Sequence, residues 1–374
     1  MLIRRRTVWI MMSFLLVACA AGARAGVTAP ALYPDLEDLA TFNHLVEGVP
    51  PTGLTSGEGV KGIYVTGYVA SSLALVRPLL ALAARTEINA MVVDVKDVTG
   101  LTYRSQIPGA PRSRELITDL EALVDFVKQE GLYTIARLCV FHDTDLAQAR
   151  PDLAIQTVGG GIWRDFAGGS WTDPYLQEVW DYNVAVAMEV AALGFDEVQF
   201  DYIRFPTDGD LGRAVHADSR GLSRVEAVNG FLRQARAALR PYGVPISADV
   251  FGLVCYVDRD TGLGQLLEEI MEVVDYLSPM VYPSHYHAGS FGLPDPDQAP
   301  YETVYESLRH ARLRLSPEDY ARIRPWLQDF TLRHRYGPEE VRAQIRAAEE
   351  SGLTGWLLWN ARNRYTPSAL RPAD

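Results

Sequence analysis

The chain of 374 residues carries 47 acidic against 35 basic side chains, a formal net charge of −12, and 48% of its residues are hydrophobic. Such a composition describes a globular protein with one large domain or two ordinary ones. The acidic balance and the lack of any Lys/Arg stripe argue against nucleic acid or another polyanion as partner.

Residues 1–25 open with Arg4, Arg5 and Arg6, continue as an apolar run from Val8 to Ala18 and close on small residues, the layout of a secretory signal. Within it, Leu16-Val17-Ala18-Cys19 resembles the lipobox of bacterial lipoproteins. This predicts an exported protein lipidated on Cys19 and anchored facing the periplasm or cell exterior. The alternative is simple cleavage after Ala23-Arg24-Ala25, which yields a soluble periplasmic or secreted protein. The run is too short for a comfortable membrane span. Residues 26–58, with Pro30, Pro34, Pro50 and Pro51, read as an extended linker to a single domain over 59–374.

From Lys61 onward, β-rich runs alternate with helical-period segments. The strand candidates in chain order are GIYVTGYVA (62–70), INAMVVDVKD (88–97), LYTIARLCVFHD (132–143) and FDEVQFDYIRF (195–205), then VPISADVFG (244–252), VDYLSPMVYP (274–283), RIRPWLQDF (322–330) and TGWLLWNARN (354–363). Segments such as LITDLEALVDFVKQE and YLQEVWDYNVAVAMEVAAL lie between them as helices. Eight strand–helix repeats predict an α/β fold, a (β/α)8 TIM barrel. Helix-to-strand links are terse (QEGLY, ALGFDE, PYGVP, ESGLTG), whereas several strand-to-helix links are long and would emerge together on the face where this fold carries its active sites. A doubly wound sheet is the alternative, but VTGYVASS is not the Gly-rich phosphate turn that usually follows its first strand.

Alternation splits each strand into a helix-facing and a barrel-facing row. Met91, Val93, Val95, Val198, Phe200, Ile246, Ala248 and Val250 go outward, leaving Asp94, Lys96, Gln199, Asp201, Ser247 and Asp249 inward. The same rule turns Tyr64, Thr66, Tyr68, Arg137, Tyr282, Trp326 and Gln328 inward, and for the eighth strand leaves Trp359 and Asn360 as alternatives. Cys139 and Cys255 fall two strands apart, too far to bridge, and are expected to be buried free thiols.

Two carboxyl groups flanking one bond, together with aromatic platforms, are the minimum for glycoside hydrolysis. Asp201 and Asp249 end neighbouring strands. Arg137 would hold Asp201 ionised as nucleophile or charge-stabilising group, leaving Asp249 as the acid. Trp163, Trp171, Tyr202, Tyr282, Trp326 and Trp359 suit stacking on sugar faces. Substrate contacts are expected from Tyr64, Tyr68, Asp94, Lys96, Arg137, His142, Trp171, Gln199, Arg204, Tyr282, His285, Trp326, Gln328, Trp359 and Asn360. Arg137 or Lys96 could instead merely neutralise Asp94 and Asp201. His142-Asp143 could orient substrate or cap the next helix. His285 and His287 have the spacing of two metal ligands but no third, so no metal and no cofactor is expected. Ser247 lacks a nucleophile-elbow pattern.

VKGIYVTGYVA, NAMVVDVKDVTG, GFDEVQFDYIRFP, ISADVFG, LSPMVYPSHY and GWLLWNA together resemble a bacterial glycoside hydrolase-like family of TIM-barrel type, long catalogued as a domain of unknown function. The resemblance spans about residues 60–365 and implies a glycosidase-like barrel acting on a cell-envelope or extracellular polysaccharide or oligosaccharide. The fourth strand is also distantly similar to the chitinase pattern. There Asp201 matches its last aspartate, but Ile203 stands where the acid belongs, so the proton donor must come from another strand. A non-catalytic carbohydrate-binding barrel and a metal-dependent sugar isomerase or aldolase are the rival readings.

Overall fold

The computed structural model describes residue 57, residues 59–111 and residues 114–373. The signal, Cys19 and, apart from Gly57, the linker lie outside the described residues. Eight strands close a parallel barrel: β1 (Lys61–Val65), β2 (Ala90–Asp97), β3 (Tyr133–Cys139), β4 (Glu197–Asp201), β5 (Ile246–Phe251), β6 (Tyr276–Met280), β7 (Trp326–Gln328) and β8 (Trp356–Trp359). Each pairs with its sequence neighbour, and β1 pairs with both β2 and β8, which leaves the barrel without an edge. Seven main helices follow the first seven strands: α1 (Leu73–Ala83), α2 (Leu120–Gln129), α3 (Gln177–Ala192), α4 (Arg224–Leu239), α5 (Leu267–Met271), α6 (Pro300–Arg314) and α7 (Pro338–Glu350).

The terse links have a local cause. Gly131, Gly194, Gly243 and Gly352, one in each, all adopt positive φ, the left-handed conformation that stops a helix and turns the chain toward the next strand at no Cβ cost. Helix starts are equally local. Ser223 and Glu226 form a reciprocal capping box on α4, and Asp119 caps α2 by accepting from the Ala122 amide.

The predicted outward row, from Met91 to Val250, is buried in one continuous cluster between barrel and helices. A smaller interior cluster includes Val92, Ile135, Trp326 and Leu357. Cys139 and Cys255 are buried free thiols. The interior also holds charge at its floor, where the carboxylate of Glu197 receives both terminal nitrogens of Arg324, the Ser247 hydroxyl and, at 3.3 Å, the Tyr133 hydroxyl. Ser247 is thus a structural donor. Both members of the pair are buried, so each is tolerable only with the other present.

Glu197→Gln leaves the Arg324 charge uncompensated, and urea unfolding should register a loss of about 3–5 kcal/mol. A loss under about 1 kcal/mol would mean that this pair does not hold the floor.

Candidate active site

The strand register decides what meets at the barrel mouth. Arg137 on β3 is directly opposite Asp94 on β2 and Gln199 on β4, so its long side chain rises between the acidic ends of three strands. Its Nη1 donates to Asp94 and its Nη2 to Asp201, while Nε stands 3.6 Å from Asp249 Oδ2. Two aromatic rings flank the guanidinium, Trp359 at 4.9 Å and Tyr64 at 5.5 Å from their centroids. These rings stack on each other at 3.8 Å. The Tyr64 hydroxyl completes the Asp94 carboxylate.

The three carboxylates sit in unlike surroundings. Asp201 accepts from Arg137 and from the amide of Tyr202, donors suited to an ionised group. Asp249 is 1% exposed; its Oδ1 accepts from Trp326 Nε1 at 2.8 Å, and its Oδ2 has no hydrogen-bond partner. Burial first, then the charge of Asp201, holds the Asp249 carboxyl well above the usual range, against the opposing pull of Arg137. Burial also pushes the Asp94 carboxyl up to about 6 against Arg137. Arg137 Nε, 3.6 Å from that oxygen, and the Tyr282 hydroxyl are likewise buried without a hydrogen bond, so three such polar atoms belong to this one mouth. Buried polar groups are nearly always hydrogen-bonded, and such a cluster fits a polyhydroxylated ligand.

The chain leaves Asp201 with Tyr202 at φ +51, a conformation that costs a bulky residue strain and fixes where its ring projects. That ring meets His142 and Trp171 edge-on, at 5.0 and 5.7 Å. His142 stacks on Trp171 at 4.4 Å, and burial pushes its pKa down to about 3. Gly169 permits this packing, because a Cβ there would lie 2.3 Å from His142 Nε2. Arg204 is buried in the same cluster.

The structure thus brings together Tyr64, Asp94, Arg137, Asp201, Asp249, Tyr282, Trp326 and Trp359, with His142, Trp171 and Arg204 alongside. Other expected orientations differ. A bulge between Asp94 and Lys96 breaks the alternation and turns Lys96 away from the mouth. It pairs with Asp143 at 2.8 Å and lies 5.5 Å from the ring of Tyr182 on α3. Tyr68 lies beyond the end of β1 on a short helical turn, Gly67–Ala70, and is 67% exposed; Thr66 caps that turn. Gln199 lies deeper, bonded to Ser278 at 3.2 Å.

Gln328 spends its amide on the Ser284 amide and the Phe330 carbonyl, tying two loops together. On β8 the inward residue is Trp359. Asn360 instead secures the following turn through the carbonyls of Asp329 and Arg364 and the amide of Arg362. His285 packs edge-on against Tyr282 and Phe330, whereas His287 is exposed. Asp143 caps the helix Thr144–Ala149 through the Leu146 amide. Among the described residues no three His, Cys, Asp or Glu side chains stand in a metal-holding arrangement. Sequence reasoning missed Asp165, which accepts from Trp171 Nε1 at 3.0 Å, and the indole bond from Trp326 to Asp249. The shared inward parity of Trp326 and Asp249 was the available signal for the latter.

A closed (β/α)8 barrel with carboxylates gathered around an arginine at its mouth defines the class. Residues 62–365 match the family described as "Putative glycosyl hydrolase domain", and the chain belongs to that family. No curated protein matches it. A hypothetical protein from Ruminiclostridium thermocellum is 38% identical over 50% of this chain and 97% of its own, with a TM-score of 0.46. An α-galactosidase from Thermus thermophilus is 17% identical over 90% of this chain and 64% of its own, with a TM-score of 0.52. For α-L-fucosidase isoenzyme 2 from Paenibacillus thiaminolyticus the values are 14%, 83%, 46% and 0.55. The chain therefore spans less than two thirds of the length of these two glycosidases, and likeness at this identity shows the barrel fold alone.

A raised carboxyl pKa in the folded state stabilises the fold at low pH, and that stability is lost as pH rises through the folded value. Between pH 4 and pH 7 the wild type should therefore lose roughly 2–3 kcal/mol more unfolding free energy than Asp94→Asn, which cannot titrate there. Parallel pH profiles in chemical denaturation would refute this account of Asp94.

Proposed function

We propose that this chain is a glycoside hydrolase cleaving a cell-envelope or extracellular polysaccharide, with Asp201 as nucleophile or charge-stabilising carboxylate and Asp249 as proton donor. The observation that carries the reading is the contrast between these two groups on adjacent strands of one mouth. One is clasped by a guanidinium and an amide, and the other is buried with an unpartnered oxygen and a raised pKa. Glycosidases need one carboxyl charged and one protonated across the same bond, and environments that drive two acids apart supply that division. Asp249 would protonate the departing glycosidic oxygen while Asp201 attacks or shields the oxocarbenium-like carbon. Tyr64 and Trp359 offer a wall against which a sugar face can rest, and the Tyr282 hydroxyl is available to a sugar hydroxyl.

A carbohydrate-binding barrel without turnover is the second reading. What favours it is the engagement of Arg137 with Asp94 and Asp201, which would suit a purely structural cluster. The leader and Cys19 add export and a lipid anchor to the proposal.

Asp201→Asn should lower hydrolysis of a responsive polysaccharide by about a thousandfold or more while binding persists. Asp249→Asn should nearly abolish cleavage of poor leaving groups, spare dinitrophenyl glycosides and erase the alkaline limb of the rate profile. Binding without turnover in every variant, wild type included, would establish the second reading. For the anchor, Cys19→Ala should move the protein from the membrane to the soluble fraction on cell fractionation.

A further inference from the structure

Beside the carboxylates lies a buried cation that the hydrolytic reading does not use. Arg204 is 7% exposed and caged by three rings, Phe251 at 4.6 Å, Trp171 at 4.9 Å and Tyr202 at 5.1 Å from the guanidinium carbon. Its Nη1 donates to the Phe205 carbonyl at 3.1 Å and reaches Thr207 Oγ1 at 3.5 Å. Among the described residues no carboxylate is in ion-pair contact with it. The neighbouring acids are committed elsewhere: Asp201 to Arg137 and the Tyr202 amide, Asp165 to Trp171 Nε1 and the Gly169 amide. Asp201, the half-buried Asp208 and Asp165 act on Arg204 through space, without a direct bond. Lys96 is paired with Asp143, and His142, with its pKa near 3, adds no charge at neutral pH.

Ring contacts and neutral acceptors do not replace the directly bonded carboxylate that a buried guanidinium ordinarily keeps. Both hydrogen bonds of Arg204 use Nη1. What they leave is the Nη2 and Nε side of the guanidinium, a fork that matches the two oxygens of a carboxylate or the oxygens of a phosphate. The cage reaches solvent, because Thr207 is exposed and Tyr202 and Phe251 are only half-buried. It also adjoins the acids, since Tyr202, one wall, directly follows Asp201.

We propose that Arg204 and its aromatic cage form a subsite for a sugar unit bearing an anionic substituent, which makes the substrate of this barrel an acidic glycan. The inference rests on the glycosidase reading for its place beside the scissile bond, but its charge argument stands independently. His142 borders the subsite, its Nε2 3.5 Å from Asp165 Oδ2.

The test titrates the full chain with D-glucuronate, with D-glucose as the neutral counterpart, and with inorganic phosphate as competitor, followed by tryptophan fluorescence and calorimetry. Glucuronate should bind at least about tenfold tighter than glucose. Arg204→Gln should erase the preference and Arg204→Lys should keep part of it. Displacement of glucuronate by phosphate would assign the natural anion to an ester, and resistance to phosphate would assign it to a carboxylate; both support a charged subsite.

Equal affinity for the two sugars, binding of neither, or a preference that survives Arg204→Gln would overturn the proposal. Should Arg204→Gln fail to fold, the wild-type comparison of the two sugars decides. Asp201→Asn separates the two readings, because it should abolish turnover and leave the preference intact. Turnover of neutral glycans with no anionic preference would sink the subsite alone, and preference without turnover would sink only the hydrolase.

Discussion

A guanidinium placed inside a barrel must be neutralised where it stands, and Arg137 meets that requirement with the carboxylates of three neighbouring strands. The geometry of the mouth follows from this. Asp94 and Asp201 are drawn to the two terminal nitrogens, Tyr64 and Trp359 flank the cation, and Asp249 is held at the weaker, longer approach to Nε. One layer down, Arg324 meets the same problem with a single carboxylate, Glu197, which the Ser247 and Tyr133 hydroxyls also bond. The upper cluster differs because one positive charge faces three carboxyl groups, and the most distant of them, Asp249, is left with an oxygen that accepts no hydrogen bond.

That imbalance is chemically useful. A carboxyl group beside a second carboxylate, in a place too dry to solvate it, has its pKa pushed up, as at Asp249. The buried arginine thus gives two identical side chains unlike surroundings without any special residue type. The strained backbone at Tyr202 serves the same region, sending its ring sideways into the cluster of His142, Trp171 and Arg204 instead of onward along the strand. The two clusters are therefore joined through the backbone of consecutive residues, Asp201 and Tyr202.

Much of the molecule was legible from alternation alone. The outward rows of the second, fourth and fifth strands and the inward Asp94, Arg137, Asp201 and Asp249 all follow from a two-residue period. The misreadings of orientation share a cause, which is that the period holds only while the strand runs on without a bulge. Lys96 lies past a bulge, Tyr68 past the end of β1, and Asn360 just beyond β8. Gln328 is inward but already spent on loop backbone, a fact about neighbours that strand parity does not contain.

By itself the sequence determined the barrel, its polarity and the identity of the acids at its mouth, because hydrophobic period, glycine stops and turn lengths are properties of adjacent residues. Only the tertiary structure decided which acid is paired, which oxygen is left without a partner and which arginine has no counter-ion. Those depend on register across strands and on burial, quantities set by residues distant in the chain and by water's exclusion from a space that exists only once the barrel has closed.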